Sequence, residues 1–218
     1  MTVPAETGSQ TAGANLEVEV KFLVPDLAAL RAALLSAGGH LHKPRVFERN
    51  VRFDTADDGL LQRGELLRLR QDTAVTLTFK GIPAEPSRSE AKVREEFEIK
   101  LDDFDTAAII LGRLGYQPKQ VYEKYRETFR LGRIEVVLDE MPFGNFVELE
   151  GDEAAIKAAA AALGLDWNRR ITTNYLALMA LLKTQFRLPF NDVTFSNFEA
   201  VTASVADVVN QVIPTSKP

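Results

Sequence analysis

The chain has 218 residues, 45% of them apolar, so it can bury a sizeable core and is not disordered throughout. Its 26 Lys and Arg against 31 Asp and Glu leave a net charge of −5, without the basic excess that a general nucleic-acid coat needs. The absence of Cys removes disulfides, thiolate catalysis and Cys-based metal sites, and two His leave little for an imidazole site.

Residues 1–15 are rich in Thr, Ala, Gly and Ser without apolar period, and read as a disordered tail. Leu16–Val24 (LEVEVKFLV) alternates as a strand does. Residues 26–37 place Leu27, Leu30, Leu34 and Leu35 on one helical face, stopped by Gly38 and Gly39. Four strand-like stretches follow over 44–54, 66–72, 75–80 and 93–101. Residues 102–114 read as a helix ended by Gly115. Strands come next over 121–131, 133–139 and 145–150, then an Ala-rich helix over 152–163 and a last helix over 173–183. Eight strands at hairpin-like spacing, with helices between groups of strands, point to an α+β fold: an antiparallel sheet or closed barrel with helices outside. Beyond Lys183 a C-terminal extension (184–218) carries Val201, Val205, Val208, Val209 and Val212 at helical spacing, which suits a helical cap or a partner-binding tail. No apolar run reaches the ~18 residues of a membrane-spanning helix. No basic-then-apolar leader opens the sequence either. A cytoplasmic protein without membrane or nucleic-acid partners is expected.

Strand side chains repeat every two residues, so the charges fall on one face of each strand. Glu17, Glu19 and Lys21 share a face, as do Arg68 and Arg70, Thr76, Thr78 and Lys80, Arg94, Glu96 and Glu98, Lys124 and Arg126, and Glu148 and Glu150. Asp139 closes its strand. The opposite faces carry Val18, Val20, Phe22, Leu67, Leu69, Leu77, Phe79, Phe97, Ile99, Tyr125, Val147 and Leu149, which are expected beneath the helices. A solvated sheet face would account for any one pair. Repetition over seven strands favours a barrel with a charged interior, which at eight strands holds at most one small ligand. Arg and Lys in such numbers match phosphate oxygens. The carboxylates among them would repel phosphate unless hard cations such as Mg²⁺ or Mn²⁺ sit between.

The ordered series ExExK (Glu17, Glu19, Lys21), FDT (Phe53–Thr55), LRLR, LTFK, REEFEI, KYR, LD and ELE resembles the CYTH superfamily, the triphosphate tunnel metalloenzymes, over roughly 16–183. The resemblance implies a closed eight-stranded antiparallel tunnel with outer helices, and a divalent-metal-dependent enzyme acting on a small-molecule triphosphate. It assigns Lys21, Arg68, Arg70, Lys80, Arg94, Lys124 and Arg126 to the phosphate grip. It assigns Glu17, Glu19, Asp139, Glu148 and Glu150 to Mg²⁺ or Mn²⁺, with Glu148, Glu150 and Lys21 closest to the chemistry. Glu96 and Glu98 match acids that would orient neighbouring cations. The residue before FDT is commonly aromatic in this family; Arg52 stands there instead and is assigned as an eighth substrate-binding cation.

The expected reaction is hydrolysis of a terminal phosphoanhydride bond, with tripolyphosphate ahead of thiamine triphosphate or a nucleoside triphosphate. Phosphoryl transfer asks the protein mainly for positioning and charge neutralisation. The alternative within the family is cyclisation of ATP to cyclic AMP and pyrophosphate, which needs an ordered nucleoside. A non-catalytic polyphosphate- or nucleotide-binding module is the third reading; it shares the cations but has no use for the acids. A monomer or homodimer is expected. His40 and His42 lie at an expected strand start and read as exposed. Trp167 beside Arg169 and Arg170 reads as packing against the last helix. No glycine-rich phosphate loop is present.

Overall fold

The computed structural model describes residues 15–213. The expected tail over 1–15 lies outside them but for Asn15, as do the last five residues. The eight strands are β1 (Leu16–Val24), β2 (His40–Asp54), β3 (Leu66–Gln71), β4 (Val75–Gly81), β5 (Lys92–Leu101), β6 (Gln117–Leu131), β7 (Ile134–Met141) and β8 (Gly144–Glu150). All neighbours pair antiparallel, and β1 pairs with both β5 and β8, which closes the ring in the order β1-β5-β4-β3-β2-β6-β7-β8. Closure removes the sheet edges that would otherwise invite pairing with other chains.

The helices α1 (Leu27–Ser36), α3 (Phe104–Arg113), α4 (Glu153–Ala162) and α5 (Tyr175–Phe186) fall where the apolar period places them. Each begins at an Asp or Asn whose side chain accepts the first orphan N–H groups: Asp26, Asp103, Asp152 and Asn174. The single-turn helix α2 (Gly59–Gln62) is too short to show a period. β2 and β6 start earlier than the alternation indicates. The first six residues of β2 are exposed, so that arm carries no apolar face to read.

Outward-facing residues of β1, β7 and β8 (Val20, Phe22, Val136, Leu138, Val147, Leu149) pack beneath α1 and α4 through Leu30, Leu34 and Ile156. A second cluster joins Leu67 and Leu69 of β3 to Leu111 of α3. Because α3 lies over β3 and β4, the outer face of β5 stays open. Phe97 and Ile99, expected beneath a helix, are exposed.

The C-terminal extension does not form the helix that its valine spacing suggests. It makes one α-turn, α6 (Phe195–Phe198), and two 3₁₀ turns, Val205–Asp207 and Val209–Gln211. Ser204 and Asp207 satisfy each other's backbone in a capping box, and the short turns let each Val reach the core separately. Val193, Val205, Val208 and Val209 are buried against Tyr122, Phe143, Phe146 and the α5 residues Tyr175 and Leu178. Backbone bonds of Val193 to Val121 and Glu123 fasten this region to β6, and those between Lys21 and Ile171 fasten the segment before α5 to β1. Among the described residues no helix is long and apolar enough to cross a membrane.

Candidate active site

Antiparallel register brings the charged faces level with one another inside the ring. Lys21 stands opposite Glu148 and Glu19 opposite Glu150. Glu17 faces Arg94, Lys80 faces Glu96, and Arg126 faces Asp139. They enclose a cavity of about 580 Å³ whose lining includes nine Lys or Arg and nine Asp or Glu side chains.

Most of the expected cations line it. The Lys21 ammonium is buried 2.6 Å from Glu19 and 3.3 Å from Glu148. Lys80 stands 2.6 Å from Glu17 and 3.3 Å from Glu96. Arg68 donates to the Tyr122 hydroxyl (3.3 Å) and to Thr78 (3.1 Å). Arg70 reaches Thr76 and Glu98 at 3.5 Å, and Arg94 donates to the Gly64 carbonyl. The Nε–H groups of Arg68, Arg70 and Arg94 are buried without an acceptor among the described residues. Such groups are costly to leave unmatched. Arg126 forks onto Asp139 and reaches Glu148 at 2.7 Å.

Three of the expected residues do not line the cavity. Lys124 and Asp139 are buried beside it, 2.9 Å apart. Arg52 is the departure of greater consequence. Its guanidinium bonds Asp54 at 2.7 Å and stands 3.5 Å from Asp58. Asp54 in turn accepts the Leu60 and Leu61 N–H groups of α2. Arg52, expected as an eighth substrate-binding cation, is therefore engaged in fastening the α2 turn to the barrel.

The structure adds lining residues that the sequence reading passed over. Glu135, Lys92 and Lys100 share strand faces with Asp139, Arg94 and Glu98, so alternation alone would find them. Glu48 lies two residues before Asn50 on β2. Tyr122 lines the cavity from β6, and Tyr175 enters from α5, outside any strand pattern.

The electrostatics divide the cavity. Around β2, β3 and β6, burial opposes ionisation of Glu48, yet Arg126, Lys124, Arg70 and Arg68 outweigh it and hold its carboxyl at about 2. Burial likewise opposes ionisation of Glu148, but Lys21 and Arg126 keep it far below the ordinary range. Glu19 on β1 behaves likewise, since burial opposes its ionisation but Lys21 and Lys92 hold it well below the ordinary range. At Glu150 and Glu17 the balance reverses. Burial, with Glu17 and Glu135 nearby, pushes Glu150 up to about 7. Burial and the neighbouring Glu19 raise Glu17 against the pull of Lys80.

Register explains the acidic side. Glu19, Glu150 and Glu135 form one row across β1, β8 and β7, like charges directly opposite one another, an arrangement that destabilises a sheet. A hard divalent cation would relieve that row, and carboxylate oxygens are its usual donors. Glu17, Glu19 and Glu150 fit such an ion by chemistry and place. Glu17 and Glu19 are at present paired with lysines, Glu150 has no cation within 4 Å among the described residues, and no three acids among those residues converge on one point. Asp139 fits less well. One of its oxygens accepts from Lys124, Arg126 and Tyr175, and the other from Arg126.

Comparison with known proteins bears on this site. The CYTH domain model matches residues 15–171. The chain is 29% identical over 137 residues to a putative adenylate cyclase of Methanocaldococcus jannaschii, covering 62% of this chain and 76% of that one. It is 28% identical over 183 residues to the adenylate cyclase CyaB of Aeromonas hydrophila, covering 78% and 92%. A solved putative adenylate cyclase from Vibrio parahaemolyticus shares the fold with a TM-score of 0.66 at 23% identity, over 76% of this chain and 98% of that one.

Proposed function

The chain belongs to the CYTH family, and on that premise we propose that it hydrolyses inorganic tripolyphosphate with the help of a divalent metal ion. The observation that carries this reading is the balanced lining, nine cations against nine acids around one cavity. A triphosphate adds several negative charges to a cavity that is already neutral. It enters favourably only with cations of its own, and the acidic row of β1 and β8 gives those cations a place.

In this mechanism Arg68, Arg70, Arg94 and Arg126 grip phosphate oxygens, with the three unmatched Nε–H groups available as donors. Lys21 and Lys80 add point charges, and Lys124 supports the grip from beside the cavity through Asp139. Glu17, Glu19, Glu148 and Glu150 would hold Mg²⁺ or Mn²⁺. When bound, such an ion offsets charge on the phosphoryl oxygens and acidifies water. Water attacks the terminal phosphorus, the bridging P–O bond breaks, and pyrophosphate leaves with the bond's electron pair. One of the cavity's carboxylates accepts the water's proton.

What supports tripolyphosphate as substrate is the character of the described lining. Its aromatic side chains are Tyr122 and Tyr175, both buried, with hydroxyls engaged by Arg68 and Asp139. Neither presents an open ring face for adenine or thiazolium. Cyclisation of ATP is the second reading, favoured by the names of the relatives; it requires a held nucleoside. Incubation with Mg²⁺ or Mn²⁺ and tripolyphosphate, thiamine triphosphate or ATP in parallel separates the two. Pyrophosphate and phosphate from tripolyphosphate, abolished by chelation, are expected. Cyclic AMP as the main product from ATP would overturn the reading.

A further inference from the structure

One buried acid has no part in that mechanism. Glu48 on β2 is 2% exposed and lines the cavity on its cationic side. Its partner in register is Lys124 on β6. The Lys124 ammonium lies 3.7 Å from Oε2, and Nε of Arg126 lies 3.9 Å from Oε1. Both separations exceed a hydrogen bond. Oε2 accepts none from the described residues. Lys124 and Arg126 make their short bonds elsewhere, to Asp139 and Glu148.

Ordinary buried carboxylates are either hydrogen-bonded or protonated. Glu48 is neither. It remains ionised because four cations surround it, while none of them takes it as a close partner. In charge and acceptor chemistry it resembles a phosphoryl group resting at a distance in the grip.

We propose that Glu48 is a specificity-determining residue that stands in for phosphate: its fixed negative charge weakens the grip on phosphate groups, so that product leaves. The inference rests on the triphosphate reading above. A purely cationic grip would hold substrate and pyrophosphate alike, and uniform tightening lowers KM without raising kcat. A carboxylate among the cations makes every phosphate oxygen compete with a resident anion. That competition bears on the bound product as much as on the substrate.

The test uses the full chain with Mg²⁺, measuring pyrophosphate binding by calorimetry and tripolyphosphate turnover by phosphate release. Glu48→Gln keeps the shape of the side chain and removes its charge; Glu48→Thr, with a good strand former, serves as a second variant. In either, the pyrophosphate Kd and the tripolyphosphate KM are both expected to fall roughly tenfold. The accompanying drop in kcat should not exceed the drop in KM, so that kcat/KM holds or rises. Weaker or unchanged pyrophosphate binding in variants that melt as wild type does would overturn the inference, and would make Glu48 an orienting or metal-holding group. A wild-type protein that binds neither anion would instead refute the triphosphate reading itself.

Discussion

The Tyr175 hydroxyl lies 2.9 Å from Asp139 Oδ2, the oxygen that also accepts from Lys124 and Arg126. A helix outside the ring is thereby tied to two cations of the grip through one buried carboxylate. The Tyr175 ring also lies 5.5 Å from the Lys21 ammonium and 5.4 Å from that of Lys124. Tyr175→Phe keeps the ring and removes one donor, a change of about 0.5–1.5 kcal/mol. A two- to tenfold fall in kcat/KM is expected, roughly the same energy expressed as a rate. Asp139→Asn removes the charge between two buried cations and should destabilise the fold by about 3–5 kcal/mol. Urea unfolding checks this. A stable Asp139→Asn protein with altered Mn²⁺ dependence would make Asp139 a metal ligand after all.

Arg68→Ala and Arg70→Ala each remove a forked cation from the cavity wall. Charged hydrogen bonds contribute roughly 1.5–3 kcal/mol each. Catalytic efficiency toward tripolyphosphate should therefore fall by about 10–150-fold. The cations of this cavity are compensated by acids, so truncation is not expected to relieve repulsion. Arg68→Ala leaves Thr78 and Tyr122 without their guanidinium partner, and a loss of about 1 kcal/mol is expected in the absence of ligand. The stabilisation conferred by added tripolyphosphate should shrink in both variants. Thermal melts with and without the anion measure it, and wild-type-like ligand stabilisation in both would remove these arginines from the grip.

Glu148→Gln and Glu150→Gln should both abolish most turnover while tripolyphosphate still binds. Their structural settings differ. Glu148 touches Arg126 and Lys21, so its amide also loosens the grip and should raise KM. Glu150 makes no ion pair with the described cations closer than 4 Å, and its amide should act on kcat alone. Steady-state kinetics at saturating Mn²⁺ distinguish the two patterns. Full activity in both variants would mean that neither acid serves the metal or the water.

The ring was legible because period-two alternation places side chains without any knowledge of partners. Lys21, Arg68 and Glu148 each follow from their own strand. Closure was legible for the same reason, since charged faces so extensive need enclosing. Arg52 stands opposite Arg68 in register, yet Asp54 takes its guanidinium toward the α2 turn, an engagement that alternation alone does not show. Tyr175 was missed because it reaches the site from a helix, where no strand pattern applies. Glu48 was passed over because its neighbours Arg49 and Asn50 blur the alternation in ERNVR. The C-terminal valines carry a helical spacing that tertiary packing overrides, since Val205, Val208 and Val209 are buried in one cluster with α5 and Phe143 while Val201 and Val212 are only partly buried.

The pH dependence of the ligand-free fold should follow Glu150. Its carboxyl titrates at about 7 in the fold against an ordinary 4.5, so the folded state holds the proton more tightly than the unfolded chain. The stability this confers is complete below pH ~4.5 and is lost as the pH rises through about 7. Glu17, raised by burial and Glu19, acts in the same direction. Glu48 and Glu148 act oppositely, because their low proton affinities contribute stability above pH ~4.5 that disappears as the pH falls further. Ligand-free stability should therefore peak near pH ~5 and decline toward pH ~8, by on the order of 1–2 kcal/mol after allowing for screening by water. Glu150→Gln has no proton to lose and should flatten that decline while leaving the acid limb unchanged. Mg²⁺ with tripolyphosphate should also flatten it in the wild type, since a cation among β1 and β8 replaces the proton. Urea titrations at about half-unit pH steps decide the matter: a decline of equal slope in wild type and Glu150→Gln would place the alkaline loss of stability on another group.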